Sequence, residues 1–193
     1  MEEQVFDLSF PLEAASWNGK IGNYEIFSAM SRIVPLVHNK YNSILIHPFK
    51  GKTPPRFLVV RCPGVLIQEV VQIAGVPMEV KHCNLKFGPP IVSAITPAKV
   101  LESKIVTFNN LRTDRPTEDA TEFSEILKVS LANLSVTANF LLGSKTYLML
   151  KGNIIVGFGV KLFNLIPRHS LLIQAKGIGG RGHIGCGFFL KKA

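Results

Sequence analysis

The chain has 193 residues, of which 47% are hydrophobic and 18% charged, and 22 Lys+Arg against 13 Asp+Glu give a formal net charge of +9. This composition excludes intrinsic disorder as the general state, and the length predicts one domain of ordinary size or two small ones. No apolar run approaches the ~20 residues of a membrane span, and the acidic start lacks the features of a signal peptide. Three widely spaced cysteines do not suggest a disulfide framework. We therefore expect a reduced, cytoplasmic protein without membrane contact.

The positive charge is concentrated in the last third of the chain. Residues 1–125 carry 13 basic and 13 acidic residues, whereas residues 126–193 carry nine basic residues and no acidic one. A protein surface normally mixes both signs, so a long acid-free segment indicates a polyanionic partner. Nucleic acid is favoured over a membrane surface because no basic amphipathic helix stands out. A basic surface that serves solubility is the alternative.

The N-terminal half predicts a strand, a helix, two strands, a helix and a strand. Alternating apolar residues indicate the first strand, and apolar residues at helical spacing indicate the first helix, which Pro35 should end. The predicted elements are a strand over 5–12, a helix over 24–34, strands over 43–49 and 56–62, a helix over 64–74 and a short strand near 78–81.

After a proline-containing passage over 87–97, the C-terminal half repeats this order. The predicted elements are a strand over 101–109, a helix over 117–134, a hairpin of strands over 140–150 and 154–165, a short helix from Pro167 to Gly177 and a final strand over 186–191. Thr117 is the candidate N-cap of the long helix. Both halves follow the βαββαβ order of a ferredoxin-like domain. The sequence therefore predicts an α+β fold of two tandem ferredoxin-like (RRM-like) domains, over 1–95 and 96–193.

A glycine-rich loop over 177–187 contains six glycines in eleven positions. Such a density lets the backbone approach a ligand closely and expose its amides to phosphate oxygens. The loop also matches G-x-G-x-x-G, but it follows a helix and lacks the βαβ context of a dinucleotide site. Lys176, Arg181 and His183 favour phosphate contact. A tight connection that simply needs positive φ angles is the alternative.

Two histidines lie close to the end of the first helix and on the strand that follows it. His38 comes just beyond the last regular turn, seven residues after Ser31, and His47 lies on the next strand near Lys50 and Lys52. A lone histidine is more often structural, but two histidines beside serine and cationic residues suit RNA strand scission. One imidazole takes the proton of a ribose 2′-hydroxyl, cations stabilise the phosphorane, and a second donor protonates the leaving oxygen.

Other chemistries are less well supported by the sequence. Cys62, His82 and Cys83 lack the spacing of a metal-ligand motif, so we expect neither a metal nor another cofactor. The acid-free last third cannot supply the paired carboxylates of a two-metal nuclease or a glycosidase. A G-x-S-x-G elbow and the basic and aromatic motif of a typical RRM are also missing.

Taken together, these features resemble the CRISPR RNA-processing endoribonucleases of the RAMP superfamily, the sixth Cas family, over nearly the whole chain. The segments that carry the resemblance are 6–12, 28–38, 46–51, 156–160 and 177–187. The glycine-rich loop is typical of the superfamily. The Ser-Arg…His and Ile-His-Pro segments look most like the short branch found with the Myxan and type I-D systems.

The resemblance implies metal-independent cleavage within the repeats of a precursor CRISPR RNA, leaving a 5′-hydroxyl and a 2′,3′-cyclic phosphate. It also implies that the enzyme stays on the repeat stem-loop inside a Cascade-type effector. His38 takes the family's general acid/base place, and His47 and Ser31 complete the candidate catalytic set. The candidate RNA-binding residues are Arg32, Lys50, Lys52, Arg168, Lys176, Gly179, Gly180, Arg181 and His183.

The chain also departs from the family pattern. Some relatives use a tyrosine in the first helix, where this chain has Phe27 or Ser28, so no phenol is present. The helper lysine of other relatives has no clean counterpart among Lys40, Lys50 and Lys52. Three functions therefore stay open: a repeat-specific endoribonuclease, a non-catalytic RNA-binding subunit of a CRISPR effector, and an interaction module that does not bind RNA.

Overall fold

The computed structural model divides into two compact units. Unit 1 comprises Met1–Ile95 together with His183–Gly185, and unit 2 comprises Thr96–Gly182 together with Cys186–Ala193. The residues that the structure describes are 4–16, 21–38, 44–47, 50–51, 57–81, 83–109, 116–150 and 153–192. Within this part of the chain, no helix is long and apolar enough to cross a membrane.

Unit 1 is built around a long first strand, β1, which pairs with neighbours along both of its edges. Its described elements are β1 (Val5–Ser16), β2 (Ile21–Gly22), α1 (Asn23–Ile33), β3 (Leu45–Ile46), β4 (Lys50–Gly51), β5 (Phe57–Pro63), α2 (Ile67–Val71), β6 (Pro77–Val80), β7 (Cys83–Phe87) and β8 (Ile91–Ala94). The sheet order is β3-β5-β1-β7-β6, with β8 also paired to β1. The strands β3, β5, β1 and β7 thus follow the second-third-first-fourth order of a ferredoxin-like sheet.

The helix α1 begins and ends where local chemistry predicts. The backbone N–H of Gly22 donates to the Glu25 carboxylate at 2.9 Å, which satisfies a donor at the helix start. Pro35 follows the helix, and the chain continues as a 3-10 turn over Pro35–His38. Ile26 and Met30 are almost completely buried on the inner face of α1. The predicted first helix is therefore confirmed, with His38 just beyond its end.

The second half of unit 1 differs from its prediction in two places. The predicted helix over 64–74 is a 3-10 turn over Gly64–Leu66 followed by the five-residue helix α2. The strand expected near 78–81 is present as β6, but it lies at the sheet edge, and the strand paired with β1 is β7. The sequence of β7 alternates, with Cys83, Leu85 and Phe87 buried. The sequence analysis predicts no element over residues 82–86, and it also lacks β8, which forms within the proline-containing passage.

Unit 2 repeats the same strand order in a four-stranded sheet. Its elements within the described residues are β9 (Leu101–Val106), α3 (Ala120–Asn133), β10 (Asn139–Leu150), β11 (Asn153–Phe163), α4 (Pro167–Lys176) and β12 (Leu190–Lys191). The sheet order is β10-β11-β9-β12, again second-third-first-fourth. The predicted α+β fold of tandem ferredoxin-like elements is therefore confirmed. The final strand is shorter than predicted because 186–189 do not pair as a ladder.

The packing of α3 on the sheet forms the core of unit 2. Phe123 on this helix contacts the rings of Phe108 and Phe158, each with centroids 4.8 Å apart. The helix is capped by Asp119, whose Oδ1 accepts from the backbone N–H of Glu122 at 2.8 Å. Thr117 is buried, and its backbone N–H donates to the Phe108 carbonyl. The cap predicted at Thr117 is thus wrong by two residues, because the chain joins α3 only after Asp119.

Candidate active site and nucleic-acid interface

The end of α1 presents His38 to solvent from an anchored turn. The backbone N–H of Val34 closes the helix on the Met30 carbonyl at 2.8 Å, and Val37 donates to the Val34 carbonyl at 3.1 Å. Val34 and Val37 are buried, whereas His38 is exposed. An imidazole that is exposed on a fixed turn suits proton transfer with a ligand from solvent.

The ring of Phe27 packs against two imidazoles of unit 1. Its centroid lies 4.8 Å from that of His38 in an edge-to-face arrangement and 4.5 Å from that of His183 in a tilted one. Phe27 is 5% exposed, whereas both histidines are exposed. The structure therefore brings together a predicted catalytic residue and a predicted RNA contact from opposite ends of the chain. The sequence analysis missed Phe27 because its helical spacing predicts only a core position.

His47 is joined to the same face of α1 through its backbone. Its N–H donates to the Val59 carbonyl at 2.9 Å, and its carbonyl accepts from the Asn23 side-chain amide at 3.0 Å. Asn23 and Phe27 are four residues apart on α1 and so lie on one helix face. The backbone of His47 is consequently held one helical turn from Phe27, whose ring contacts the imidazoles of His38 and His183. Its side chain is half-buried.

The remaining predicted residues of this region have different surroundings. The Ser31 hydroxyl donates to the Ser28 carbonyl at 2.9 Å, and Ser31 is buried. This local hydrogen bond gives the hydroxyl a backbone partner. Arg32 is exposed on the other side of α1. The backbone of Lys50 lies in β4, and Lys40 and Lys52 are outside the described residues.

Two glycines of the glycine-rich loop are required by the way the loop packs in unit 2. Gly179 has φ +83°, and a Cβ there would lie 2.5 Å from the Thr107 carbonyl oxygen. Gly187 has φ +67°, and a Cβ there would lie 2.1 Å from the Ile178 carbonyl oxygen. Only glycine fits such positions without strain. The alternative of a tight connection therefore accounts for both of these glycines.

Gly180 differs from these two because its surroundings are open. It is exposed, and the nearest atom to a Cβ built there is the Thr107 carbonyl oxygen at 4.0 Å. Its backbone N–H donates to that oxygen at 2.9 Å, and its own carbonyl accepts from the Thr107 hydroxyl at 3.1 Å. Packing therefore does not explain a glycine at this position, which leaves room for close approach of a ligand.

Arg181 lies in the same loop and is oriented by the end of β9. Its guanidinium donates to the Asn109 side-chain oxygen at 3.2 Å and to the Thr107 hydroxyl at 3.5 Å. The residue is half-buried and has a positive φ of 65°. The sequence analysis missed Thr107 and Asn109 because a predicted strand end does not show which loop packs on it. Arginine held in this way can present its remaining donors to phosphate.

The other two basic candidates of unit 2 lie on α4. Arg168 is exposed in its first turn, and Lys176 is exposed in its last turn. A cation in the last turn also interacts favourably with the helix dipole, so Lys176 has a structural use in addition to any contact with a ligand.

The excess charge of the C-terminal segment is partly neutralised by acidic residues from earlier in the chain. Glu102 on β9 accepts Lys192 at 2.9 Å and Lys161 at 3.7 Å, and Glu118 accepts Lys145 at 3.1 Å. By contrast, Lys176 and Arg181 make no ion pair within the described residues. The unpaired positive charge is thus less extensive than the sequence count indicates, and Lys176 in the last turn of α4 and Arg181 in the glycine-rich loop contribute to it.

Cys62, Cys83 and Cys186 are buried free thiols. Burial raises the pKa of Cys186 to about 11, against smaller opposing effects of the Thr107 hydrogen bond and the Arg181 charge. Burial raises the pKa of Cys62 to about 12, and the nearby carboxylates act in the same direction. His82 lies outside the described residues. In the part of the chain that is described, no group of three His, Cys, Asp and Glu side chains could hold a metal ion.

Two ferredoxin-like sheets in one chain, with a glycine-rich loop before the last strand, define a class of tandem ferredoxin-like proteins. The Cas6 Crispr family model matches residues 6–193, so the chain belongs to the Cas6 family. The resemblance seen in the sequence is therefore confirmed.

Individual relatives agree with this assignment. The CRISPR-associated endonuclease Cas6 of Myxococcus xanthus (strain DK1622) is 30% identical over 175 residues, which are 86% of this chain and 73% of the relative. A Cas6-related protein of Pyrococcus furiosus has a TM-score of 0.63 at 14% identity and covers 97% of this chain and 98% of its own. Thermus thermophilus Cse3, bound to an RNA representing a pre-cleavage complex, has a TM-score of 0.57 at 16% identity with the same coverage. At these identities the two structures show the shared fold.

Proposed function

We propose that this chain is a metal-independent endoribonuclease that cleaves within the repeats of a precursor CRISPR RNA. The observation that carries the proposal is the exposed imidazole of His38, held against Phe27 beyond the end of α1. Membership of the Cas6 family and a relative named as an endonuclease support it. The exposed basic residues of α4 and the glycine-rich loop fit an RNA substrate.

In the proposed reaction, the imidazole of His38 takes the proton of the ribose 2′-hydroxyl next to the scissile phosphate. The 2′-oxygen forms a bond to phosphorus while the bond from phosphorus to the 5′-oxygen breaks. A second donor protonates that 5′-oxygen, and His47 is the candidate from the sequence. The products are a 2′,3′-cyclic phosphate and a 5′-hydroxyl. Cationic side chains stabilise the phosphorane, so the reaction needs no metal ion.

In the proposed complex, the glycine-rich loop holds the backbone of the repeat stem-loop. Arg181 is oriented by Asn109 and Thr107 and offers its free donors to phosphate. Gly180 allows close approach of the RNA, and Arg168 and Lys176 add charge at the two ends of α4. We further propose that the protein stays on the processed RNA in a Cascade-type effector.

The test is cleavage of end-labelled repeat RNA in EDTA by the wild-type chain and by His38→Ala and His47→Ala. We expect cutting at one position that EDTA does not reduce and that His38→Ala lowers by about 10²- to 10⁴-fold, the usual contribution of a general acid or base. The matched control is His169→Ala on α4, which should cut at the wild-type rate. Cutting that requires a divalent ion, or that survives His38→Ala, would contradict the proposal.

A non-catalytic RNA-binding subunit is the second candidate, and specific contacts favour it. The Ser31 hydroxyl is bonded to the backbone, His47 is held in the sheet by its backbone, and Phe27 provides no phenol. In this case the histidines would be structural. Tight binding of the repeat without cutting would support this candidate, and absence of binding at low salt would contradict both.

A further inference from the structure

The imidazole of His183 shares one aromatic neighbour with that of His38. We infer that His183 is the second proton-transfer group of the cleavage reaction and that Phe27 positions both imidazoles. The inference rests on the proposed function and deepens it. It gives His183 a role in the chemistry rather than in phosphate contact alone.

The geometry of the cluster supports two groups acting on one phosphodiester. Both imidazole centroids lie within 4.8 Å of the Phe27 centroid, at interplanar angles of 72° and 48°. Phe27 is buried, so the ring is a fixed neighbour for both. In-line displacement needs a proton acceptor at the attacking oxygen and a proton donor at the leaving oxygen of the same phosphorus. Two exposed imidazoles that contact one buried ring provide the two groups that such a displacement needs.

The backbone around His183 holds the residue in a defined turn. It lies in the 3-10 turn Gly182–Ile184, and the N–H of Cys186 donates to the Arg181 carbonyl at 3.2 Å. Ile184 is 2% exposed and anchors the turn next to His183. The backbone that carries the His183 imidazole is therefore held in place by its own turn.

The surroundings favour His183 over His47 for this role. His183 is exposed, and its ring contacts Phe27, which also contacts His38. His47, by contrast, is half-buried, and its backbone is hydrogen-bonded to Val59 and Asn23. In the inferred step, neutral His38 takes the 2′-hydroxyl proton and protonated His183 gives its proton to the 5′-oxygen as the phosphorus–oxygen bond breaks. The electron pair of that bond goes to the 5′-oxygen. The two imidazoles then exchange protons with water to regain their starting states.

The experiment measures single-turnover cleavage at saturating protein for wild type, His38→Gln, His47→Gln and His183→Gln. His169→Gln on α4 is the matched control and should behave like wild type. We expect His183→Gln to lower the saturated rate by about 10²- to 10⁴-fold and to leave the Kd for RNA within about twofold of wild type. The descending alkaline limb of the pH–rate profile should also disappear, because that limb reports loss of the acid's proton.

A substrate with sulfur in place of the scissile 5′-oxygen separates the two proton transfers, because a thiolate leaves without protonation. This substrate should restore His183→Gln to near the wild-type rate and should not restore His38→Gln. Rescue of His47→Gln instead would assign the acid to His47 and overturn the inference. A weaker Kd for His183→Gln at an unchanged saturated rate would show that His183 is an RNA contact alone. No cleavage by the wild-type chain would overturn the proposed function and this assignment with it.

The positioning role of Phe27 has its own readout. Phe27→Leu removes the ring and should lower the saturated rate, and Phe27→Tyr, which keeps the ring, should restore it. Thermal melting of both variants accounts for any loss of folded protein. Equal saturated rates for Phe27→Leu and Phe27→Tyr, measured on folded protein, would contradict a positioning role for the ring.

Discussion

The two units have the same strand order but carry different chemical groups. Unit 1 contains nine basic and seven acidic residues, a net charge of +2, and unit 2 contains 13 basic and six acidic residues, a net charge of +7. Four of the five histidines belong to unit 1, and unit 2 contains His169. Unit 2 thus carries most of the excess positive charge, and unit 1 carries most of the imidazoles. Under the proposed function, net charge indicates the RNA partner but not the reacting residues.

The two units also differ in the burial of their ion pairs. In unit 1, Asp7 and Arg61 face each other across β1 and β5, and Arg61 is 1% exposed. The pair is bidentate, at 2.6 Å and 2.9 Å. In unit 2, the lysine pairs with Glu102 and Glu118 are at the surface, where such pairs contribute little. Unit 1 thus contains an internal charge pair, whereas the lysine pairs named in unit 2 lie at its surface.

The largest expected effect is on the stability of unit 1. Asp7→Ala should lower the free energy of unfolding by about 3–5 kcal/mol, because it leaves the buried Arg61 guanidinium without its carboxylate. Denaturant unfolding measures this change. The control is Lys86→Ala, which removes the exposed pair with Glu13 and should cost less than about 1 kcal/mol.

A double substitution tests the cause of this loss. Asp7→Leu with Arg61→Met replaces the pair by apolar side chains and should recover much of the stability, since an internal ion pair is often replaceable in this way. A cost for Asp7→Ala no larger than that of Lys86→Ala would show that the pair is not needed and would remove this difference between the units.

The next effect separates structural from ligand-binding glycines in unit 2. Gly179→Ala should cost about 1–3 kcal/mol, because alanine is strained at φ +83° and its Cβ would meet the Thr107 carbonyl. Gly180→Ala should change the free energy of unfolding by less than about 0.5 kcal/mol, since its surroundings are open. Thermal or denaturant unfolding measures both changes.

The same pair of variants also tests the RNA contact. We expect Gly180→Ala to weaken RNA binding without loss of stability, because the methyl group would occupy space that the RNA backbone approaches. An unchanged RNA affinity for Gly180→Ala would indicate that the glycine-rich loop is a tight connection at this position and nothing more.

A smaller effect distinguishes the loop from the rest of the basic surface. Arg181→Ala should weaken RNA binding by about tenfold, the worth of one charge-assisted hydrogen bond, and should reduce the slope of log Kd against log salt by about 1. Lys192→Ala should have a smaller effect because Lys192 is paired with Glu102. Filter binding over a salt series measures both. Equal effects of the two substitutions would mean that the loop is not the main contact.

The elements that the sequence predicted are those with a strong local signal. The hairpin of β10 and β11, the stop of α1 at Pro35 and the end of α4 at Gly177 follow from alternation, proline and glycine. The strand β7 also alternates, but the sequence analysis predicts no element over residues 82–86. Both sheets have the strand order second-third-first-fourth, as expected from the βαββαβ order predicted for each half.

The site could be predicted only in part, because its contacts join distant segments. The position of His38 follows from Pro35, which ends α1. The packing of His183 on Phe27 joins the two ends of the chain, and no local pattern encodes it. The different roles of Gly179 and Gly180 also depend on where the Thr107 carbonyl lies. Residue types therefore indicate a candidate chemistry, whereas tertiary contacts decide which of the candidate residues lie together.

The smallest expected effect is on the reactivity of the Cys186 thiol. Cys186 lies in the glycine-rich loop and belongs to unit 2. Burial raises its pKa to about 11 from 9.0. At pH 8 the fraction of reactive thiolate in the folded protein should thus be about a hundredfold lower than in the unfolded chain. Iodoacetamide should leave Cys186 unmodified at pH 8 in the native protein and modify it in guanidinium chloride, as peptide mass spectrometry can measure.

The pH dependence follows from the direction of this shift. Because the folded state holds the thiol proton more tightly, the stability that this group contributes is complete below pH 9.0 and is lost as the pH rises through about 11. Modification of the native protein should therefore begin only at strongly alkaline pH. Rapid modification at pH 8 would mean that the segment around Cys186 opens in solution.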